Sequence, residues 1–336
     1  MRYPENLKIG DTIGICAPSD GVGKTEKIKK LNQAIKKLEK MGYKIIETES
    51  IRNSIKGRSN SASIRAQEFM KLWKNEEVKL ILYSGAGDFL MEMIDELDFE
   101  ELKKLPPKWT QGFSNITTIS FFLNTICDIP SIYCDSVKDY AMEPLYRNLQ
   151  DALKLVSGEE VIQESFEKHA DGKEDNEDYT YKMTLETKWS NITGEEEIVI
   201  QGRAIGGCLD DIDCLIGTKY DKVRDYIEKY KQDGIIWFLE CYDTNTPQLE
   251  RMLWKMKNAG YFEYCKGIIF GRPFIMREDY DITEDEAILE AIGKLNIPII
   301  TGADIGHVPP QLAIMQGAVL KITSKDGKGK VETFRK

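Results

Sequence analysis

The sequence predicts an α/β chain. An N-terminal parallel-sheet domain of the flavodoxin/Rossmann-like kind comes first, then a C-terminal mixed α/β domain with a small β-barrel-like sheet. Three observations lead there. Strand-length apolar runs alternate with helix-period segments through residues 1–157. An acidic stretch with little apolar periodicity fills 158–189. From 190 onward, Gly-rich turns and short apolar runs mix with helical patterns.

The elements follow in order. "TIGICAP" is an apolar run stopped by Pro18, and Ile28, Leu31, Ile35, Leu38 and Met41 then recur at helical spacing before Gly42. "YKIIETE" and "VKLILYS" read as strands flanking the helix "SIRAQEFMKLW". "DFLMEMIDEL" and the apolar run 116–126 are helical, "PSIYCD" is strand-like, and "LYRNLQDALKLV" closes the series. Repeated β-α units of this length imply a parallel sheet covered on both faces. In the second half, "EEIVIQGRAIGGCL", "DGIIWFLECYD" and "CKGIIFGRP" are strands, while "TPQLERMLWKMKNAGYF" and "EDEAILEAIGKL" are helices. Residues 158–189 are expected to be a linker or surface loop, with His169 a solvated bystander inside it.

Composition removes several function classes. Hydrophobic residues make up 41% and charged residues 30% of the 336, the balance of a globular protein. A net charge of −10 argues against a nucleic-acid partner, since phosphate binding needs clustered Lys and Arg. No apolar run approaches membrane-spanning length, and "MRYPENLKIGD" has no signal-like apolar core, so a cytoplasmic protein is expected. The seven cysteines show no CxxC spacing and read as free buried thiols, with no metal site implied. Only His169 and His307 could supply an imidazole.

"IGICAPSDGVGKT" imitates a phosphate-binding loop, but Pro18 stands where the loop needs a glycine, and Pro has no N–H to offer a phosphate. A turn followed by a helix start is the better reading. "YSGAGDF" is another strand-to-helix turn. It lacks the third glycine of a dinucleotide fingerprint but sets backbone amides at a helix start, suited to an anion or oxyanion.

Nucleophilic serine chemistry needs a hydroxyl, an imidazole in reach and a carboxylate that orients the imidazole. "GFSN" matches the nucleophile elbow G-x-S-x-G except that Ile116 replaces the closing glycine. From these residues alone, Ser114 or Asn115 could equally cap the following helix. His307 lies in the rigid loop "DIGHVPPQ", and Glu240 ends the apolar strand "GIIWFL". A structural histidine and a helix-capping or Arg-paired glutamate are the competing readings.

The chain resembles the LD-carboxypeptidases, serine peptidases of bacterial murein recycling, and the related microcin C self-immunity peptidases. Seven blocks carry the resemblance in order: "LKIGDTIGICAPSD", "LYSGAGDFLMEMIDELDFEEL", "PPKWTQGFSNIT", "GRAIGGCLDDIDCLIGT", "GIIWFLECYD", "GYFEYCKGIIFGRP" and "TGADIGHVPPQLAIMQGA". It implies Ser114 as nucleophile, His307 as general base and then acid, and Glu240 as the orienting carboxylate. The backbone amides of Gly85 and Asn115 would form the oxyanion hole. It further implies no cofactor, a homodimer, and hydrolysis of the bond to a terminal D-amino acid in a murein tetrapeptide. The rival substrate is an aminoacyl sulfamoyl or phosphoramidate adenylate, and a two-lobed binding protein without chemistry is the alternative class. Candidate substrate contacts are Ala86, Trp189, Arg203 and Arg272, with strand-edge packing the competing role for Trp189. The chain departs from many relatives in having Asn115 where they have Asp after the serine. It also has Tyr83-Ser84-Gly85 where they carry Arg-Gly-Gly.

Overall fold

A computed structural model describes residues 1–85, 87–175 and 179–336, and side chains outside 173–175. The chain divides into two units: 1–160 with 175–180 and 313–315, and the remainder.

The first unit holds strands β1 (Thr12–Cys16), β2 (Lys44–Glu47), β3 (Val78–Tyr83), β4 (Trp109–Gly112) and β5 (Ser131–Tyr133). Its helices are α1 (Thr25–Lys40), α2 (Ala62–Lys74), α3 (Met91–Ile94), α4 (Phe99–Lys104), α5 (Thr117–Thr125) and α6 (Arg147–Ser157). The five strands pair in parallel in the order 2-1-3-4-5, the flavodoxin-like doubly wound arrangement. Five of the six β3 residues are buried, as expected of a parallel strand covered on both faces. That is why "VKLILY" reads as a near-continuous apolar run.

Local signals account for the ends of several elements. Ser61 caps α2 by accepting the Ile64 N–H, and Asp98 caps α4 by accepting that of Glu101. Gly158 ends α6 in the left-handed region at φ +91. Because all five strands run one way, the loops after β1, β3, β4 and β5 gather at their carboxyl ends, where doubly wound sheets bind ligands.

The second unit contributes β6 (Ile162–Glu164), β7 (Lys168–Asp175), β8 (Tyr181–Glu186), β9 (Ser190–Asn191), β10 (Glu197–Cys208), β11 (Ile235–Glu240) and β12 (Asp243–Asn245). After these come β13 (Cys265–Gly271), β14 (Ile275–Arg277), β15 (Ile299–Ala303), β17 (Val319–Lys325) and β18 (Lys328–Phe334). Its helices are α7 (Leu209–Leu215), α8 (Val223–Tyr230), α9 (Thr246–Asn258) and α10 (Glu284–Ile292). Strand β16 (Ile314–Gln316), whose first two residues belong to the first unit, forms the edge of the first sheet beside β5.

The large second sheet runs β6-β18-β17-β10-β11-β13-β15-β9 and mixes parallel with antiparallel pairs. Its end strand β9 curls back toward β17. The Asn191 amide donates to Ser324 O at 3.3 Å, the Ser324 hydroxyl donates to Asn191 Oδ1 at 2.6 Å, and Trp189 N donates to Gly327 O at 2.9 Å. This near-closure is the β-barrel-like feature.

The segment 158–189 is not the bare linker expected from its composition. β6 joins the large sheet, and β7 and β8 pair with each other. Four of the six β8 side chains are exposed and none is buried, so the strand lacks the apolar alternation that sequence reading looks for. His169 lies on β7, half-buried, with Nδ1 at 3.4 Å from Thr187 Oγ1. It is therefore not a solvated loop residue. Burial and the nearby Arg272 charge pull its pKa down to about 4. The cysteines are all free, five of them buried, while Cys214 is exposed and Cys265 half-buried.

Candidate active site

The first unit presents Ser114 just past the carboxyl end of β4, half-buried and at φ +63. A non-glycine residue in the left-handed region holds an unfavourable backbone conformation, tolerated only where the surroundings enforce it. Two contacts fix the turn here. The Ser114 N–H donates to the Tyr133 hydroxyl at 3.2 Å, and the Phe113 and Tyr133 rings meet edge-on with centroids 6.3 Å apart. A short 3-10 turn, Ser114–Ile116, leads into α5, whose cap position is Ile116 without a side-chain cap bond. Neither Ser114 nor Asn115 thus occupies the cap position of α5.

Asn115 is buried with its side chain committed elsewhere. Its Oδ1 accepts from the Ser19 hydroxyl at 2.8 Å and from Leu90 N at 3.1 Å. These bonds tie the turns after β1 and β3 to the serine turn. Gly85 follows β3 at φ +152, and a Cβ on nearby Gly87 would stand 2.7 Å from Ser19 Oγ. The glycines of "SGAG" thus permit close approach of two loops. Ala86 lies outside the described residues.

The second unit holds the other two predicted side chains together. His307 Nδ1 lies 2.7 Å from Glu240 Oε2, with both residues buried. Glu240 ends β11, whose six residues are all buried. His307 follows Gly306, whose φ is +94. A Cβ at 306 would stand 2.5 Å from Glu240 Oε2, so only glycine lets the loop close on the carboxylate. The Tyr242 ring packs on the imidazole with centroids 4.7 Å apart, and it stacks on Phe274 at 5.4 Å. Asp210 Oδ2 accepts the Tyr242 N–H at 2.9 Å, fixing that ring's backbone. Burial, reinforced by the Glu240 charge, pushes the Asp210 carboxyl above its usual range.

Three of the four candidate substrate contacts, Arg272, Trp189 and Arg203, are engaged within the second unit. Arg272 is buried and donates to Asp304 Oδ1 at 2.8 Å, Pro310 O at 2.9 Å and Val308 O at 3.2 Å, bracing the loop that carries His307. Trp189 is buried, donates from Nε1 to Asp304 Oδ2 at 2.9 Å, and lies directly against Gly329. Arg203 is buried beneath the Tyr230 ring, pairs with Asp233 and donates to Gly317 O.

Sequence reading missed Tyr242, Asp210 and the bracing role of Arg272. Tyr242 lay two residues beyond Glu240 in "LECYD", a position that invites inspection but carries no motif. Burial pushes the Cys16, Cys208 and Cys241 thiols well above their ordinary range, which leaves little thiolate on those three. The phosphate-loop imitation is a turn and helix start, with Lys24 exposed ahead of α1. No helix among the described residues is long and apolar enough to cross a membrane.

The first unit is a flavodoxin-like sheet with a left-handed serine past β4, and the second unit holds a buried Glu–His pair within a mixed sheet. Residues 13–134 match the LD-carboxypeptidase N-terminal domain and residues 201–322 the LD-carboxypeptidase C-terminal domain. The chain belongs to the LD-carboxypeptidase family. It is 22% identical to a probable murein peptide carboxypeptidase of Bacillus subtilis over 94% of this chain and 89% of that one. It is 24% identical to the microcin C7 self-immunity protein MccF of Escherichia coli, over 94% and 91%. A solved structure of MccF in complex with glutamyl sulfamoyl guanosine covers 100% of this chain and 99% of its own, with a TM-score of 0.82 at 21% identity. At that identity the likeness speaks for the fold alone.

Proposed function

We propose that this carboxypeptidase-family protein is a serine-type LD-carboxypeptidase that releases a terminal D-amino acid from a murein tetrapeptide. Ser114 is the nucleophile, His307 the base and then acid, and Glu240 the carboxylate that orients His307. The observation that carries the reading is the buried Glu240–His307 pair at 2.7 Å. A proton on Nδ1 facing the carboxylate leaves Nε2 as the acceptor, the tautomer a general base requires.

Ser114 Oγ attacks the scissile carbonyl while His307 takes its proton. The tetrahedral oxyanion rests on the Gly85 and Asn115 amides, each such donor contributing about 3 kcal/mol. His307 then protonates the departing amine. Water attacks the acyl-enzyme by the same route reversed, freeing the shortened peptide. The reading extends to a homodimer, as the family resemblance implies, which sedimentation of the purified protein would check.

A second substrate reading has one specific support, the sulfamoyl nucleoside bound to the structurally similar MccF. The test is direct. Purified protein is assayed with a murein tetrapeptide and with an aminoacyl sulfamoyl adenosine, alongside Ser114→Ala. Tetrapeptide turnover that Ser114→Ala abolishes is the expected result. Turnover of the adenosine alone shifts the assignment to the second reading. Wild-type turnover by Ser114→Ala removes the serine mechanism.

A further inference from the structure

We propose that Lys138 is the substrate-charge reader of this site: its ammonium receives the anionic group neighbouring the scissile carbonyl, which in a tetrapeptide is the terminal carboxylate. This rests on the serine-carboxypeptidase reading, because it takes the Gly85 amide as an oxyanion donor. The juxtaposition itself is a structural fact. A Cβ built on Gly85 would stand 3.0 Å from Lys138 Nζ and 3.4 Å from its Cε, so the ammonium lies over the Gly85 α-carbon. Gly85 follows β3, Ser114 follows β4 and Lys138 follows β5, three neighbouring strands whose carboxyl ends form one edge.

The turn that presents Lys138 is rigid. It is the 3-10 turn Val137–Ala141, closed by a capping box in which Asp139 Oδ2 accepts from Ser136 N at 3.1 Å and from Ser136 Oγ at 2.8 Å. Lys30 meets the other Asp139 oxygen at 3.2 Å. Gln111 links the turn to the nucleophile strand: its Nε2 donates to Asp135 O at 2.8 Å and its Oε1 accepts from Tyr140 OH at 3.0 Å. A half-buried lysine on so fixed a support suits recognition of one charge at one place.

The chemistry matches. A terminal carboxylate sits one α-carbon beyond the scissile nitrogen, so a carbonyl oxygen at the Gly85 amide brings that carboxylate near an ammonium over Gly85. An acyl sulfamate carries its charge beside the carbonyl as well, so the shared feature is an adjacent anion, and we commit to the carboxylate.

The test measures binding in a Ser114→Ala background by calorimetry, which needs no turnover. The ligands are the murein tetrapeptide, its C-terminal amide and aspartyl sulfamoyl adenosine. Lys138→Met should weaken the acid by at least about tenfold and the amide by less than about twofold, with Lys138→Arg recovering most of the loss. Equal weakening of acid and amide, or no weakening of either, overturns the proposal. A response confined to the sulfamoyl ligand overturns the carboxylate assignment. Labelling of Ser114 in the unmutated protein by a fluorophosphonate is scored separately. Its absence alongside acid-selective binding would remove the nucleophile reading and leave the anion site standing.

Discussion

Glu240 Oε2 and His307 Nδ1 lie 2.7 Å apart although 67 residues separate them in the chain. Neither is exposed, and the ring is flanked by Tyr242. A buried carboxylate beside an imidazole fixes both its orientation and its tautomer, and it stabilises the positive charge that forms during catalysis. Glu240→Gln preserves the shape but removes the charge and can stabilise the wrong tautomer. We expect kcat to fall on the order of 10³–10⁴-fold with the far-ultraviolet spectrum unchanged. A fall of less than tenfold in steady-state assays would show that the pair serves stability instead.

Gly306 lets the loop approach that pairing closely. Its φ of +94 is poorly accessible to alanine, and a Cβ would press on the carboxylate at 2.5 Å. Gly306→Ala should destabilise the protein by about 1–3 kcal/mol from backbone strain and push the loop off Glu240. Urea unfolding reads the first effect and kcat the second. Unchanged kcat in a folded Gly306→Ala variant would mean that the loop can shift without parting the dyad.

Asn115 offers a cleaner distinction between side-chain and backbone roles. Its Oδ1 serves Ser19 Oγ and Leu90 N, both inside the fold, while the proposed catalytic group is its main-chain amide. Asn115→Asp keeps an acceptor at that place and should retain activity within about tenfold. Asn115→Ala strands a buried N–H donor, which costs about 1–3 kcal/mol of stability. Thermal unfolding with parallel kinetics separates the two. Equal loss of stability in both variants would argue that the amide nitrogen of the side chain matters instead.

These residues also mark how far sequence carries. The runs that become β1, β3 and β11 are buried along nearly their whole length, so their apolar composition announces them. Ser114, Glu240 and His307 stood out because each ends or follows such a run in a turn of unusual composition. β7 and β8 were illegible because they form a separate two-stranded pair, and the β8 side chains face mostly outward. Arg272 looked available for a substrate because nothing local reveals that its partners are Asp304, Val308 and Pro310, more than 30 positions away. Lys138 likewise looks like any surface lysine until the sheet sets β5 beside β4. Periodicity reports burial, while long-range pairing is decided by topology.

His169 supplies the pH prediction, and its sign is fixed by the direction of the shift. In the unfolded chain an imidazole titrates near its ordinary 6.5, whereas burial and the Arg272 charge hold it at about 4 in the native state, with Asp171 opposing. Between those values the unfolded chain binds more protons than the native one, so acidification favours unfolding. The stability linked to this group is present above about pH 6.5 and is lost as pH falls toward 4. His169→Gln removes that proton while keeping a polar partner for Thr187. The difference in urea midpoint between wild type and variant should therefore stay constant from pH 8 to 7 and move against the wild type between pH 6.5 and 4. Curves that remain parallel across the acid range would place the imidazole in water rather than against Arg272.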